Sequence, residues 1–122
     1  MLETPAFVVH GIAAPSPLPG WMVITSRRHV CALEELPEDA LHALGPLLAR
    51  VMSVQKSALG AEHVYLLALG DVLPHLHLHL IPRDASTPAS LRGRAAFDAS
   101  PSQMLAAVAL EAAAARLRSA LG

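Results

Sequence analysis

The sequence predicts an α+β fold in which an antiparallel β-sheet packs against a central helix. Short apolar segments stand before and after one long amphipathic segment, as expected when strands flank a helix. The last two apolar segments are separated by a turn of hairpin length, which favours antiparallel pairing. The chain has 122 residues, the size of a single domain, and 53% of them are hydrophobic, which excludes a disordered chain.

Two strands are expected near the N-terminus. Residues 6–10 and 21–25 are apolar and rich in β-branched side chains, which favours extended structure. Residues 11–20 contain three prolines, which cannot donate regularly to a sheet, so this segment is expected to be a loop. The second strand is expected to end at the basic Arg-Arg-His step of residues 27–29.

A helical region is predicted over residues 33–60. Pro37 suits a first helical position, and the two acidic residues that follow it lie near the positive helix end. Apolar residues recur with helical spacing at Leu41, Leu44, Leu47, Leu48, Val51, Met52 and Val54. Pro46 is expected to kink or restart the helix, because proline removes an amide donor and clashes with the preceding turn. Gly60 is expected to end it.

Two further strands are predicted after this helix. Residues 63–69 and residues 73–81 are rich in apolar side chains, and a turn is expected at residues 70–71 between them. The second of these strands is expected to end at Pro82, because proline cannot donate to a sheet ladder.

The remaining residues are predicted to form a C-terminal extension. Residues 84–99 lack periodicity and are expected to be a surface loop. Residues 100–103 have the pattern of a capping box, so an Ala-rich helix is expected from about residue 101 to residue 121. We therefore predict one domain over residues 1–122, with its core over residues 6–83.

Composition and charge narrow the function. The net charge of −1 does not favour a nucleic-acid-binding protein, and Cys31, the only cysteine, excludes an intrachain disulfide and a multi-cysteine zinc site. Residues 4–26 are uncharged, but prolines interrupt them, so they do not predict a membrane span, and no leader pattern precedes them. The expected location is the cytoplasm. The large apolar fraction favours a buried subunit interface in a homodimer.

The most informative segment is PHLHLHLIPR, residues 74–83. In a strand, successive side chains point to opposite faces, so His75, His77 and His79 are expected to share one solvent-facing surface. The imidazoles would lie about 6–7 Å apart at strand rise. The leucines between the histidines would then face the core.

A row of imidazoles favours attack on phosphorus. Three neighbouring rings resist taking up three protons, so at least one is expected to be neutral near pH 7. A neutral ring nitrogen can add to phosphorus, while its neighbours hydrogen-bond the oxygens and protonate the leaving group. His77 has a neighbour on either side and is the predicted nucleophile. We expect no metal or other cofactor to be required.

The pattern His-φ-His-φ-His-φ-φ, where φ is apolar, resembles the signature of the histidine triad (HIT) family of nucleotidyl hydrolases and transferases. Upstream, GWMVITSRRHV of residues 20–30 is similar to a strand of that family that ends in a basic-His step. The resemblance covers residues 7–83 and implies five antiparallel strands with two helices. It also implies hydrolysis at the α-phosphate of a nucleotide through a covalent nucleotidyl-histidine. One large branch of the family forms homodimers with a continuous sheet.

The resemblance also implies roles for single residues. His77 would be the nucleophile, with its other ring nitrogen held by a backbone carbonyl. His79 would hold a phosphate oxygen, His75 would lie nearer the leaving group, and His10 would be a fourth histidine that contacts the substrate. Arg83 follows the motif and is a further candidate for the substrate phosphate. Dinucleoside polyphosphates and nucleoside phosphoramidates are the expected substrates.

Two positions depart from the family pattern. Ala68 stands where an Asn or Gln usually reaches the scissile phosphate, and Val72 stands where a Ser or Thr usually precedes the motif. The absence of polar side chains at these two positions allows a second hypothesis, a nucleotide-binding module without catalysis. A third is a metal-binding protein, because alternating imidazoles can ligate Zn²⁺ or Ni²⁺.

Histidine and arginine residues outside the triad also fit ordinary structural roles. His10 is equally compatible with an ordinary strand position, and Arg83 with a surface ion pair. His29, in the basic step, is expected to be structural.

Overall fold

The computed structural model describes residues 1–12 and 15–122, and its main element is one antiparallel sheet of five strands. The strands are β1 (Leu2–Glu3), β2 (Phe7–Gly11), β3 (Met22–Ser26), β4 (His63–Leu67) and β5 (His77–Arg83). Their order in the sheet is β1-β2-β3-β5-β4, so β5 is flanked by β3 and β4. The predicted α+β class and antiparallel sheet are confirmed.

Two helices cover one face of this sheet: α1 (Glu38–Leu59) and α2 (Ala107–Leu121). The helices and the sheet share a core that includes Val9, Ile24, Leu80, Val51 and Leu117. The predicted restart of the helix at Pro46 is wrong, because α1 is continuous through it. Pro46 lies on the exposed side of α1, where a carbonyl left without an amide donor can bond to water.

The motif strand is shifted relative to its prediction. β5 begins at His77, not at residue 73, and it continues through Pro82 to Arg83. Pairing with β3 extends only to Leu80, and beyond that residue β5 pairs with β4 alone. One side of β5 is therefore open from Ile81 onward, and a residue without an amide proton is tolerated there.

The capping box is present but caps a different element. Ser100 and Gln103 bond reciprocally across a single 3-10 turn, Pro101–Gln103. The long helix α2 begins later, at Ala107, without a side-chain cap. The pattern therefore placed the start of α2 six residues too early, because the capping box closes a separate 3-10 turn.

The extension covers part of the second face of the sheet, which is a correction to the expected surface loop. Short 3-10 turns at Ala89–Leu91 and Gly93–Asp98 pack their apolar side chains on that face. This second apolar cluster contains Leu18, Trp21, Val23, Ile81, Leu91 and Ala96. Apolar burial holds the segment there although its sequence has no regular period. None of the helices within residues 1–12 and 15–122 is long and apolar enough to cross a membrane.

Candidate active site

Three strands contribute polar side chains to the second face of the sheet. Thr25 pairs with His77, Val23 pairs with His79, and His10 pairs with Val23. Directly paired residues of an antiparallel sheet lie on the same face, so His10, Thr25, His77 and His79 form one surface. The leucines between the histidines point to the opposite face and are buried in the core.

His77 is held by a single hydrogen bond to the backbone. Its Nδ1 lies 2.7 Å from the carbonyl oxygen of His75, and a carbonyl only accepts, so Nδ1 carries the proton. In the neutral ring, Nε2 then holds a free lone pair. A nitrogen with a free lone pair is in the chemical state required of a nucleophile. The side chain of His77 is only half-buried.

His79 is buried, which corrects the expectation that all three imidazoles face solvent. Trp21 and Phe97 cover it, with ring centroids 5.7 Å and 4.9 Å from that of His79. Burial, together with the nearby imidazoles of His77 and His10, lowers the pKa of His79 to about 4. His79 is therefore neutral at physiological pH.

His75 lies just before β5, and both of its ring nitrogens contact the protein. Nε2 is 2.7 Å from the carbonyl oxygen of Ser26 and donates to it. Nδ1 is 3.2 Å from Nδ1 of His29, which donates to it when His75 is neutral. The structure places His29, which is expected to be structural, in direct contact with His75 of the triad, and its role stays a prediction. The contact joins residues 46 positions apart, and sequence spacing gives no signal for it.

His10 lies on the histidine surface and is oriented by two contacts. Its Nδ1 is 3.1 Å from the carbonyl oxygen of Gly11, to which it donates. Its Nε2 is 3.0 Å from the hydroxyl of Thr25, the residue that faces His77 across the strands. The structure therefore brings His10 to the face of the triad, and its substrate contact stays a prediction.

Arg83 shares the histidine face but lies far along β5. It is four positions beyond His79, or about 13 Å at strand rise. Its guanidinium is 3.0 Å from a carboxylate oxygen of Glu62. The geometry favours the ion-pair interpretation, and a substrate contact of Arg83 stays a prediction.

A cavity of about 250 Å³ borders His77 and His75. Its other lining residues are Cys31, Ala32, Leu33, Ala68, Leu69, Gly70 and Leu76, none of which is charged. Ala68 lies in this lining, whereas Val72 is 96% exposed and does not contribute to it. A larger cavity of about 340 Å³ beside α2 is lined by none of the histidines.

Acidification is expected to destabilise the fold through His79. The unfolded chain binds a proton at this imidazole near pH 6.5, but the folded chain binds it only near pH 4, so lowering the pH favours unfolding. We expect wild type to lose about 3 kcal/mol more unfolding free energy between pH 7 and pH 4 than His79→Gln. Urea unfolding across this range measures the difference, and equal losses would contradict the burial of His79.

Comparison with known proteins identifies the family. The sequence model of the HIT domain matches residues 6–86, whereas no curated protein sequence matches the chain. A histidine triad protein of Bradyrhizobium japonicum is 22% identical, with a TM-score of 0.83 over 98% of this chain and 87% of that one. A hypothetical histidine triad nucleotide-binding protein of Sulfolobus tokodaii is 22% identical, with a TM-score of 0.73 over 98% and 80%.

A Zn-bound histidine triad family protein of Mycobacterium smegmatis is 17% identical, with a TM-score of 0.70 over 98% of this chain and 81% of that one. These three structures share the fold. The match to the family's sequence model extends over well over half of the chain and includes the strand that bears His77 and His79. The chain therefore belongs to the HIT domain family.

Proposed function

We propose that the chain hydrolyses a nucleotide substrate at its α-phosphate through a covalent nucleotidyl-histidine on His77. The observation that carries this proposal is the bond from Nδ1 of His77 to the His75 carbonyl, which leaves Nε2 unprotonated at the edge of a cavity. The carbonyl also stabilises the positive charge that the ring acquires on attack. HIT domain family membership supports a nucleotide as the substrate.

The proposed reaction has two steps. In the first, Nε2 of His77 forms a bond to the α-phosphorus while the bond to the leaving group breaks, and the leaving group takes up a proton. In the second, water attacks the same phosphorus and the phosphorus–nitrogen bond breaks, which releases the nucleoside monophosphate and restores the imidazole. His75 borders the cavity and is the proposed proton donor. In its imidazolium form, with Nε2–H turned away from the Ser26 carbonyl, it gives this proton to the leaving group and becomes a neutral ring, which takes a proton from the attacking water in the second step.

The cavity beside His77 favours an uncharged leaving group. Its lining contains no Lys or Arg, and the departing nucleotide of a dinucleoside polyphosphate carries several negative charges. Buried negative charge is costly without a cationic partner. We therefore propose a nucleoside phosphoramidate, whose leaving group is an amine, as the preferred substrate.

A panel of nucleotide substrates tests the proposal. We expect kcat/KM for a nucleoside phosphoramidate to exceed that for a dinucleoside triphosphate by at least about tenfold. A chelator is expected to leave both rates unchanged. Faster cleavage of the triphosphate would contradict the proposed leaving group, and no turnover of any substrate would contradict the hydrolase.

A binding module without catalysis is the second candidate. It is favoured by Ala68, which places a methyl group in the cavity lining where the family usually has an amide. Intact-protein mass spectrometry separates the two functions. The hydrolase is expected to show an adduct with the mass of a nucleotidyl group after quenching at alkaline pH, where a phosphorus–nitrogen bond survives, whereas a binding module shows reversible affinity and no adduct.

A metal-binding function has weaker support. The nearest ring nitrogens, Nδ1 of His29 and Nδ1 of His75, are 3.2 Å apart and bonded to each other. Within residues 1–12 and 15–122, no three His, Cys, Asp or Glu side chains are grouped so that they could hold an ion. The residues present therefore do not form a zinc site like those of three or four protein ligands. Elemental analysis of untagged protein tests this candidate.

A homodimer remains part of the proposal. β4 is an edge strand of the described sheet, and edge strands present backbone groups that can pair with another chain. Leu66 on β4 is 46% exposed, which adds apolar surface at that edge. Sedimentation measurements of the mass in solution test whether two chains associate.

A further inference from the structure

A buried hydrogen bond joins Trp21 to the third histidine of the triad. The indole Nε1 of Trp21 lies 3.0 Å from Nδ1 of His79, and the two side chains are 4% and 9% exposed. An indole has one N–H and no lone pair to offer, so Trp21 is the donor. Nδ1 of His79 must therefore be the acceptor, and the single proton of the neutral ring lies on Nε2.

We propose that Trp21 is a positioning residue that fixes His79 as the neutral Nε2–H tautomer, so that His79 donates a hydrogen bond to a phosphoryl oxygen without carrying charge. The contact with a phosphoryl oxygen rests on the proposed function, whereas the tautomer does not. Nε2 has no protein partner within residues 1–12 and 15–122 and is not among the fully buried polar atoms without a partner. It is therefore free to bind a ligand.

Aromatic packing fixes the orientation of this donor. The rings of Trp21, His79 and Phe97 are mutually edge-on, with interplanar angles of 76°, 84° and 88°. Edge-to-face contacts of this kind favour one ring orientation over a flipped one. A flip of His79 would place its C–H edge against the indole N–H and would leave that buried donor unpaired, which is costly.

The backbone around both rings is held by one buried amide. Nε2 of Gln55 donates to the carbonyl oxygens of Gly20 and Leu80, each at 2.9 Å. These residues directly precede Trp21 and directly follow His79. A side chain of α1 therefore fixes the distance between the two strands at the point where the Trp21–His79 bond forms.

The environment of His79 opposes its protonation. A second proton on the ring would face the indole N–H directly, with both groups donating. The titratable groups that act on His79 are the imidazoles of His77 and His10, and both would repel a cation there. On β4 its cross-strand neighbour is Leu67, and from the extension it is covered by Phe97, so neither supplies a negative charge.

A neutral donor suits the proposed intermediate. When His77 carries the nucleotidyl group, its ring is positive, and the centroid of His79 lies 5.0 Å away. A cationic His79 would repel that ring, whereas a neutral one stabilises the phosphoryl oxygen without this cost. The hydrogen-bonding state of His79 would then be constant over the whole physiological pH range.

Nitrogen-15 NMR of the imidazoles tests the tautomer directly. In wild type, long-range ¹H–¹⁵N spectra between pH 5 and pH 8 are expected to show His79 with a protonated Nε2 and a bare Nδ1, assigned by comparison with His79→Gln. Trp21→Phe keeps an aromatic ring but removes the donor, and it is expected to give both tautomers of His79 and a pKa closer to the usual value. Phe97→Leu, the matched control, is expected to retain the Nε2–H tautomer.

Steady-state kinetics of the same variant give a second, separate test. With a nucleoside phosphoramidate, Trp21→Phe is expected to lower kcat/KM about 3–10-fold and to lose more activity at mildly acidic pH than wild type does. A single unchanged tautomer in Trp21→Phe, or a protonated Nδ1 in wild type, overturns the positioning role whatever the activity. If wild type has the Nε2–H tautomer but hydrolyses no substrate, the inference about the tautomer stands and the proposed function is wrong.

Discussion

His77→Ala is expected to lower kcat/KM by at least about 10⁴-fold and to abolish the covalent adduct. The reason is that Nε2 of His77 is the atom that bonds to phosphorus, and no other ring nitrogen shown by the structure combines a free lone pair with a place at the cavity. Losses of this size are typical when a nucleophile is removed. Steady-state kinetics with a nucleoside phosphoramidate and mass spectrometry of protein quenched at alkaline pH measure both effects.

The fold is expected to survive this substitution. His77 is only half-buried, and alanine retains the backbone that pairs with Thr25 of β3. His42→Ala is the matched control, because His42 is an exposed histidine on α1 whose Nε2 lies 3.9 Å from a carboxylate oxygen of Glu38. It is expected to keep wild-type activity. Wild-type turnover by folded His77→Ala would show that the reaction does not use this imidazole.

Leu80→Ala is expected to lower the unfolding free energy by about 3–5 kcal/mol. Leu80 lies on β5 between two paired strands, and it is 0% exposed in the core between sheet and helices. Removing a fully buried side chain of this size loses its transfer free energy and leaves a cavity that the rigid sheet cannot fill. Urea denaturation, with the m-value checked for a common unfolded state, measures the change.

The control for this variant is a residue on the neighbouring strand β4. Leu66 on β4 is the cross-strand partner of Leu80 and faces the same side, but it is 46% exposed. Leu66→Ala is expected to cost about 1 kcal/mol, because only about half of its surface leaves water on folding. Equal losses from the two variants would mean that β5 does not lie at the centre of the core.

The features that could be predicted from the sequence are those encoded by local periodicity. The spacing of apolar residues predicts α1, and the alternation of histidine and leucine predicts which side chains of β5 share a face. Both patterns report the geometry of a single element. The family signature adds the roles of the triad histidines. It also implies a five-stranded sheet, which the spacing of the residues alone does not specify.

The features that were not predicted depend on contacts between distant parts of the chain. β1 has only two residues, Leu2–Glu3, and is held by its pairing with β2. Trp21 is 58 positions from His79, and no periodicity relates the two. Phe97 lies in a segment without regular structure by pattern, and it reaches His79 because its neighbours bury apolar surface on the sheet. Long-range packing of this kind has no local sequence signal.

The C-terminal extension has a consequence for how the protein can be divided. The part that the family's sequence model recognises ends at residue 86, yet Phe97 covers His79, and Leu117 and Leu121 fill the core beneath the sheet. A fragment cut at that boundary would expose the third histidine to water and open the interior on the opposite side. We therefore expect the smallest autonomously folding unit to extend beyond residue 86, and substitutions in the tail to change the surroundings of His79 without altering a residue of the triad.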